Sequence, residues 1–186
     1  MSSTEVQKYR DTLDFLYSKL PMYSRIGQSA YKKDLTNTLK LCEILGNPHQ
    51  KFKSIHIGGT NGKGSTTNYI ASMYIEVGLK VGIYTSPHLY DLRERIKIGH
   101  QMIPKSNVIS FVDKMKSYIT EIEPSFFELT VAMAMEYFAN ESVDVAIIEV
   151  GLGGRLDSTN IIQPILSLVT NISLDHTSML GNTLEK

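Results

Sequence analysis

The order of apolar and polar positions divides the chain into segments of two different periods. Leu13, Phe15, Leu16 and Leu20 predict a first helix over 12–20, and the polar stretch 23–31 reads as a loop. A second helix is predicted over 33–45, with Leu35, Leu39, Leu41, Cys42 and Leu45 on its buried side. Gly46, with Pro48 behind it, marks where that helix stops. The period then shortens. Residues 54–58 form a strand, 59–65 a glycine-rich loop, and 66–77 an amphipathic helix with Ile70, Met73, Tyr74 and Val77 as its stripe. Gly78 ends this helix, and 81–85 is the next strand.

Beyond it, 95–98 and 101–103 face each other across Gly99-His100 as a small hairpin. Helices are predicted over 106–122 and 126–140, with Met133 and Met135 in a helix core. The apolar run 143–150 is typical of a strand buried on both faces, and 165–172 supplies one more. Alternating strands and helices predict an α/β fold, a mainly parallel sheet with helices on both faces.

Composition adds exclusions. The 186 residues carry 19 basic and 19 acidic side chains, so no charge imbalance argues for nucleic acid or a membrane surface. No run approaches the roughly 20 apolar residues of a membrane span, and the N-terminus lacks a secretory pattern. A cytoplasmic protein is the expectation. The single cysteine, Cys42, reads as a core residue of its helix.

The candidate chemistry begins at Gly59-Thr-Asn-Gly-Lys-Gly-Ser65, between a strand and a helix. Backbone N–H groups and a helix N-terminus face an anion at such a junction, and glycines let the chain wrap closely around phosphate. Lys63 is placed to neutralise phosphate charge, and Thr60 or Ser65 to offer a hydroxyl. The pattern departs from a general phosphate loop in two places: Ile57 stands where the first glycine belongs, and Gly64 separates Lys63 from Ser65. A glycine-rich turn with a surface lysine is the plainer reading of the loop alone.

With His56-Ile-Gly58 before it, this loop resembles that of the Mur ligase superfamily, and especially its folate branch, the folylpolyglutamate and dihydrofolate synthases. Further motifs agree in order: Asn47-Pro48, Thr85-Ser-Pro-His-Leu89, Arg93-Glu-Arg95-Ile96, Ser125-Phe-Phe-Glu128, Glu149-Val-Gly-Leu-Gly-Gly-Arg155-Leu-Asp157 and Thr170-Asn-Ile-Ser-Leu-Asp175-His176. The resemblance implies a central-domain-like phosphate-loop fold. It also implies a ligase that moves phosphate from ATP to a carboxylate and lets the amine of glutamate attack the acyl phosphate. The substrates implied are dihydropteroate or a folate, glutamate and ATP, with Mg²⁺.

Carried over residue by residue, the resemblance assigns Gly59, Thr60, Asn61, Gly62, Lys63, Gly64 and Ser65 to ATP, with Lys63 catalytic. It assigns Ser86, Glu149 and His176 to magnesium, each expected after a buried strand. It assigns Ser125, Phe126, Phe127, Glu128, Leu156, Asp157 and Ser158 to the pteroate site. Plainer readings stand beside these: His176 as a loop histidine, Phe127 as core packing, Asp157 as a turn cap. His56 reads as structural, while His88 and Arg93 receive no chemistry.

Family members are much longer and carry a second domain with much of the glutamate site. The expectation is therefore a truncated N-terminal ATP-binding domain, 1–186, without the C-terminal domain and inactive by itself. A binding fragment without turnover, a Mur-type amino-acid ligase and an unrelated phosphate-loop hydrolase are the competing readings.

Overall fold

The computed structural model describes residues 3–22, 25, 27 and 34–183. Its elements run α1 (Ser3–Lys19), α2 (Thr36–Ile44), β1 (Lys53–Gly58), α3 (Lys63–Glu76), β2 (Val81–Tyr84), β3 (Ile96–Ile98) and β4 (Gln101–Met102). Then follow α4 (Lys105–Ile122), α5 (Phe126–Asn140), β5 (Val145–Glu149), β6 (Leu166–Val169) and α6 (Thr177–Leu180). Short 3₁₀ turns stand at Pro48–Gln50, Leu92–Arg95 and Ser158–Ile161.

Six strands form one sheet in the order β4-β3-β2-β5-β1-β6. The four from β2 to β6 are parallel, and the hairpin β3–β4 runs antiparallel at the other edge. Successive side chains of a strand point to opposite faces, and β5 shows what that does here. Val145 and Ile147 pack with Ile55, Ile57, Val81 and Ile83 against Ala71 of α3. Ala146 and Ile148 turn the other way, with Tyr84, into a larger core made with α1, α2, α4 and α5. A strand buried on both faces cannot alternate polar with apolar, which is why 143–150 is a continuous apolar run.

The predicted helices over 106–122 and 126–140 are α4 and α5, within a residue of the expected ends. Met133 and Met135 are fully buried on α5. Cys42 is buried too, and burial pushes its thiol up to about 12. α1 starts well before residue 12, and much of the predicted loop 23–31 lies outside the described residues.

Three expectations about faces fail. Leu39 is exposed, and α2 buries Thr38, Leu41 and Cys42 instead. Met73 and Val77 are exposed as well; α3 meets the sheet through Thr67, Ala71 and the half-buried Ile70, Tyr74 and Ile75. Both helices carry more apolar residues than one face holds, so sequence spacing admitted two stripes and the sheet selected one. The predicted strand 165–172 is ladder-bonded only over β6, an edge strand whose Leu166 and Val169 are more than half exposed. No helix among the described residues is long and apolar enough to cross a membrane.

Candidate functional site

The loop after β1 takes a shape that only glycine tolerates at its start. Gly59 has φ +127, and a Cβ there would overlap Thr170 Oγ1 and lie 3.0 Å from Asn171 O and Thr170 N. Gly62, at φ +82, caps α3. The N–H groups of Lys63, Gly64 and Ser65 therefore occupy the first helical turn, where no helical acceptor exists and the helix dipole is positive. Lys63 Nζ donates to Gly59 O (2.8 Å) and Thr60 O (3.1 Å), folding over the loop it stands in.

The segment behind β6 crosses this loop and fastens it. Thr60 N donates to Asn171 O (2.9 Å), and Asn61 N to Asn171 Oδ1 (2.8 Å). Thr170 Oγ1 donates to Asn61 O (2.6 Å). The Thr60 hydroxyl donates to Ser173 O and accepts from Ser173 N. Thr60 and Asn61 thus hold the loop's form, while Lys63, Gly64 and Ser65 keep the first-turn N–H groups of α3.

Glu149 ends β5 beside β2, and Ser86 follows β2, so the parallel ladder brings the two together. Ser86 N donates to Glu149 Oε2 (3.0 Å). Glu149 is 5% exposed; burial raises its pKa, against the pull of the Ser86 N–H, Lys63 and Arg95. No cation among the described residues lies within ion-pair distance of it. Gly64, lacking a side chain, leaves space for a Cβ position 3.5 Å from both carboxylate oxygens.

A buried carboxylate with one hydrogen bond and no ion-pair partner among the described residues fits a hard divalent cation. His176 does not close a buried strand as expected. It caps the short α6 at φ +46, beyond the exposed β6, with its ring 3.9 Å from Asp175 Oδ2. Among the described residues no three His, Cys, Asp or Glu side chains cluster as a cage. A cation at Glu149 would therefore keep waters, as Mg²⁺ does.

Lys63, Ser86, Glu149 and His176 all line one cavity of about 570 Å³, and so do all seven residues from Ser125 to Glu128 and Leu156 to Ser158. A larger hollow of about 960 Å³ adjoins it, sharing Lys63, Leu156 and His176 and extending along β6. Several of the cavity residues also build its wall. Ser125 and Glu128 form a reciprocal cap on α5: Ser125 N donates to Glu128 Oε2 (2.6 Å), and Glu128 N to Ser125 Oγ (3.2 Å). Glu128 Oε1 is buried with no partner among the described residues.

Asp157 caps the turn at Ser158–Ile161. Its Oδ1 accepts from Thr159 N and Thr159 Oγ1, and its Oδ2 from Leu152 N. That last bond ties down the glycine-rich loop behind Glu149. Thr159 Oγ1 spends its hydrogen on Asp157, so His56 Nε2, 2.8 Å away, donates to it. Burial holds His56 neutral, with its pKa down at about 4. Phe127 is half-buried under the same loop, so close that a Cβ on Gly151 would strike its ring. Phe126 is buried behind it.

Sequence reasoning passed over Arg95 and left His88 without a role, yet both line this cavity. Arg95 is 8% exposed, its guanidinium 5.5 Å above the Phe126 ring and its Nε donating to His88 Nδ1 (2.8 Å). Its signal was present in Arg93-Glu-Arg95-Ile96, but a strand-leading arginine ordinarily points to solvent. Arg93 instead pairs with Asp91 away from the cavity.

No family model matches the chain. The chain is 40% identical over 182 residues to a probable bifunctional folylpolyglutamate synthase/dihydropteroate synthase of Haloferax volcanii, covering 95% of this chain and 21% of the relative. It is 37% identical over 185 residues to the dihydrofolate synthase/folylpolyglutamate synthase of Bacillus subtilis, covering 96% of this chain and 41% of the relative. Its fold superposes on the solved FPGS–AMPPCP–folate complex with TM-score 0.85 at 38% identity, covering 95% of this chain and 43% of that one. The chain thus spans between about a fifth and two-fifths of these proteins' length. Over nearly all its residues the chain is homologous to the N-terminal portion of the folylpolyglutamate and dihydrofolate synthases.

Proposed function

We propose that residues 1–186 form the N-terminal, ATP-binding unit of a cytoplasmic ligase that joins glutamate to dihydropteroate or a folate. One observation carries the reading: a single cavity gathers the lysine of the phosphate loop, a buried carboxylate with no ion-pair partner among the described residues, and an apolar wall with aromatic rings. In the reaction the substrate carboxylate attacks the γ-phosphorus of ATP and ADP leaves. The amine of glutamate then displaces phosphate from the acyl phosphate to give the amide.

Residues 59–65 would hold the nucleotide's phosphates, with Lys63 leaving its two carbonyl acceptors to meet the transferred phosphoryl group. Glu149, Ser86 and His176 would hold the cation. When bound, Mg²⁺ supplies charge neutralisation at the phosphate oxygens. Phe126 and Phe127 give the pteroate rings an apolar face, while Ser125, Glu128, Leu156, Asp157 and Ser158 shape the wall around them. The solved neighbour that carries both AMPPCP and folate supports this pairing of ligands.

The test is calorimetric titration of this chain with a non-hydrolysable Mg·ATP analogue, then with dihydropteroate. Both should bind, and Lys63→Ala should weaken the nucleotide by roughly 10–100-fold, as expected for one charge-assisted phosphate contact. Unchanged nucleotide affinity in that variant would overturn the phosphate-loop assignment.

A further inference from the structure

His88 lines the cavity, and its hydrogen bonding settles which ring nitrogen carries the proton. The Arg95 guanidinium beside it is engaged on several sides. Its Nε donates to His88 Nδ1 (2.8 Å), the Tyr84 hydroxyl accepts another of its hydrogens, and Glu149 interacts with its charge. Tyr84 can accept because its own hydrogen goes to Thr130 Oγ1 (3.2 Å), whose hydrogen goes to Phe127 O (3.0 Å). Arginine nitrogens only donate, so Nδ1 of His88 is the bare nitrogen of the ring. A neutral imidazole with a bare Nδ1 carries its hydrogen on Nε2.

That Nε2 has no hydrogen-bond partner among the described residues, and protein atoms do not enclose it. It is a neutral donor offered to whatever the cavity holds. Ser125 and Asp157, by contrast, are occupied within the wall. The place of His88 narrows the acceptor. It follows two residues after Ser86, whose N–H bonds Glu149 where that carboxylate faces the phosphate loop at Gly64. Its ring neighbours that of Phe126, 6.4 Å between centroids. His88 thus stands where the phosphate end of the cavity meets the aromatic wall. In the ligase reading the substrate group that must lie there is the carboxyl, which has to reach the phosphate while the rings stay on the wall.

We infer that His88 holds the substrate carboxyl, its Nε2–H donating to the oxygen that does not take the phosphate. The inference rests on the ligase reading above and names the group that grips its reacting carboxyl. One carboxylate oxygen attacks the γ-phosphorus and ADP leaves; the other becomes the carbonyl oxygen and keeps this bond. When the amine of glutamate adds to that carbonyl, the electron pair moves onto the same oxygen, where the donor stabilises it until phosphate departs. His88 keeps its own proton throughout.

Two measurements test this on the chain loaded with the non-hydrolysable Mg·ATP analogue. Nitrogen-15 NMR of labelled histidine should show His88 neutral with its hydrogen on Nε2. Dihydropteroate should move that Nε2–H resonance downfield, as a new acceptor does, and an analogue with hydrogen in place of the carboxyl should not. Calorimetry then compares both ligands in wild type, His88→Phe and His88→Gln. His88→Phe should bind dihydropteroate about 10–100-fold more weakly, the range for one hydrogen bond to a charged group, and bind the analogue as wild type does. His88→Gln, whose amide N–H replaces the donor, should recover part of the loss. A hydrogen on Nδ1, or an Nε2–H resonance that ignores bound dihydropteroate, would overturn the contact and leave the ligase reading standing. So would unchanged dihydropteroate affinity in His88→Phe, or equal weakening of both ligands, which would make the ring a packing element. If wild type binds the nucleotide but not dihydropteroate, the pteroate reading falls and the contact with it.

Discussion

Replacing Gly59 by alanine puts a methyl group where the crossing segment presses on the phosphate loop. The new Cβ would overlap Thr170 Oγ1 and stand 3.0 Å from two backbone atoms, Asn171 O and Thr170 N. A side chain can rotate away, but those backbone atoms are pinned by Thr60 N to Asn171 O (2.9 Å) and Thr170 N to Gly58 O (3.0 Å). Alanine at φ +127 costs about 1–3 kcal/mol in backbone strain. Displacing Thr170 Oγ1 from Asn61 O, and loosening one of the neighbouring bonds, adds about 1 kcal/mol each.

The total is roughly 3–5 kcal/mol, a large part of the ~5–15 kcal/mol that stabilises a typical domain. Urea unfolding followed by circular dichroism measures it. Thr170→Ala alone should cost about 1 kcal/mol, and the double variant should be less destabilised than the two single costs added, because the worst overlap is then gone. A Gly59→Ala protein within about 0.5 kcal/mol of wild type would refute the claim that residues 170–173 fasten the loop. So would strict additivity in the double variant.

Two predictions concern pH. His56 is neutral in the fold down to about 4, while an unfolded histidine protonates near 6.5, so the unfolded state binds the extra proton between those values. Stability should fall as pH drops through that window. His56→Gln should reduce the difference in unfolding free energy between pH 7.5 and 5 by about 2 kcal/mol; an unaltered difference would mean His56 is not the buried neutral group described. Asp91 is shifted the other way. Partial burial opposes the shift, but bonds from the Arg93 side chain, the Arg93 N–H and the Tyr9 hydroxyl bring its pKa down to about 2. Its stabilisation is present above about pH 4 and disappears as pH falls through 2. Asp91→Asn should cost about 1–2 kcal/mol at pH 7, allowing for its partial exposure, and converge with wild type in acid unfolding curves.

How much of this was legible beforehand differs by residue. The glycine-rich loop could be read because its chemistry is local: a strand, a turn that needs glycine at Gly59 and Gly62, and a helix follow one another directly in sequence, although the helix begins at Lys63, three residues before the predicted start at 66. The same holds for β5, whose burial on both faces is written as an unbroken apolar run; the Ser125 and Glu128 cap is as local, its partners three residues apart, but the sequence reading took both residues only for the pteroate site. These elements are fixed by backbone conformation, short-range hydrogen bonding and hydrophobic pattern, all of which act between near neighbours.

What joins them is not local. Leu39, Met73 and Val77 fit a helical stripe as well as the residues that are buried, and only the position of the sheet decides between them. His88 became a candidate once Arg95 bonded to one side of its ring and Phe126, from a helix far along the chain, packed against both. The fastening of Thr60 and Asn61 by residues more than a hundred positions later belongs to the same class. Sequence alone determined the elements, their order and the chemical character of the loop, because propensity and periodicity are properties of contiguous residues. The tertiary structure decided which faces are buried, which polar groups are already engaged and which donor is left facing the cavity, because those depend on atoms that meet only when distant segments pack and water is excluded between them.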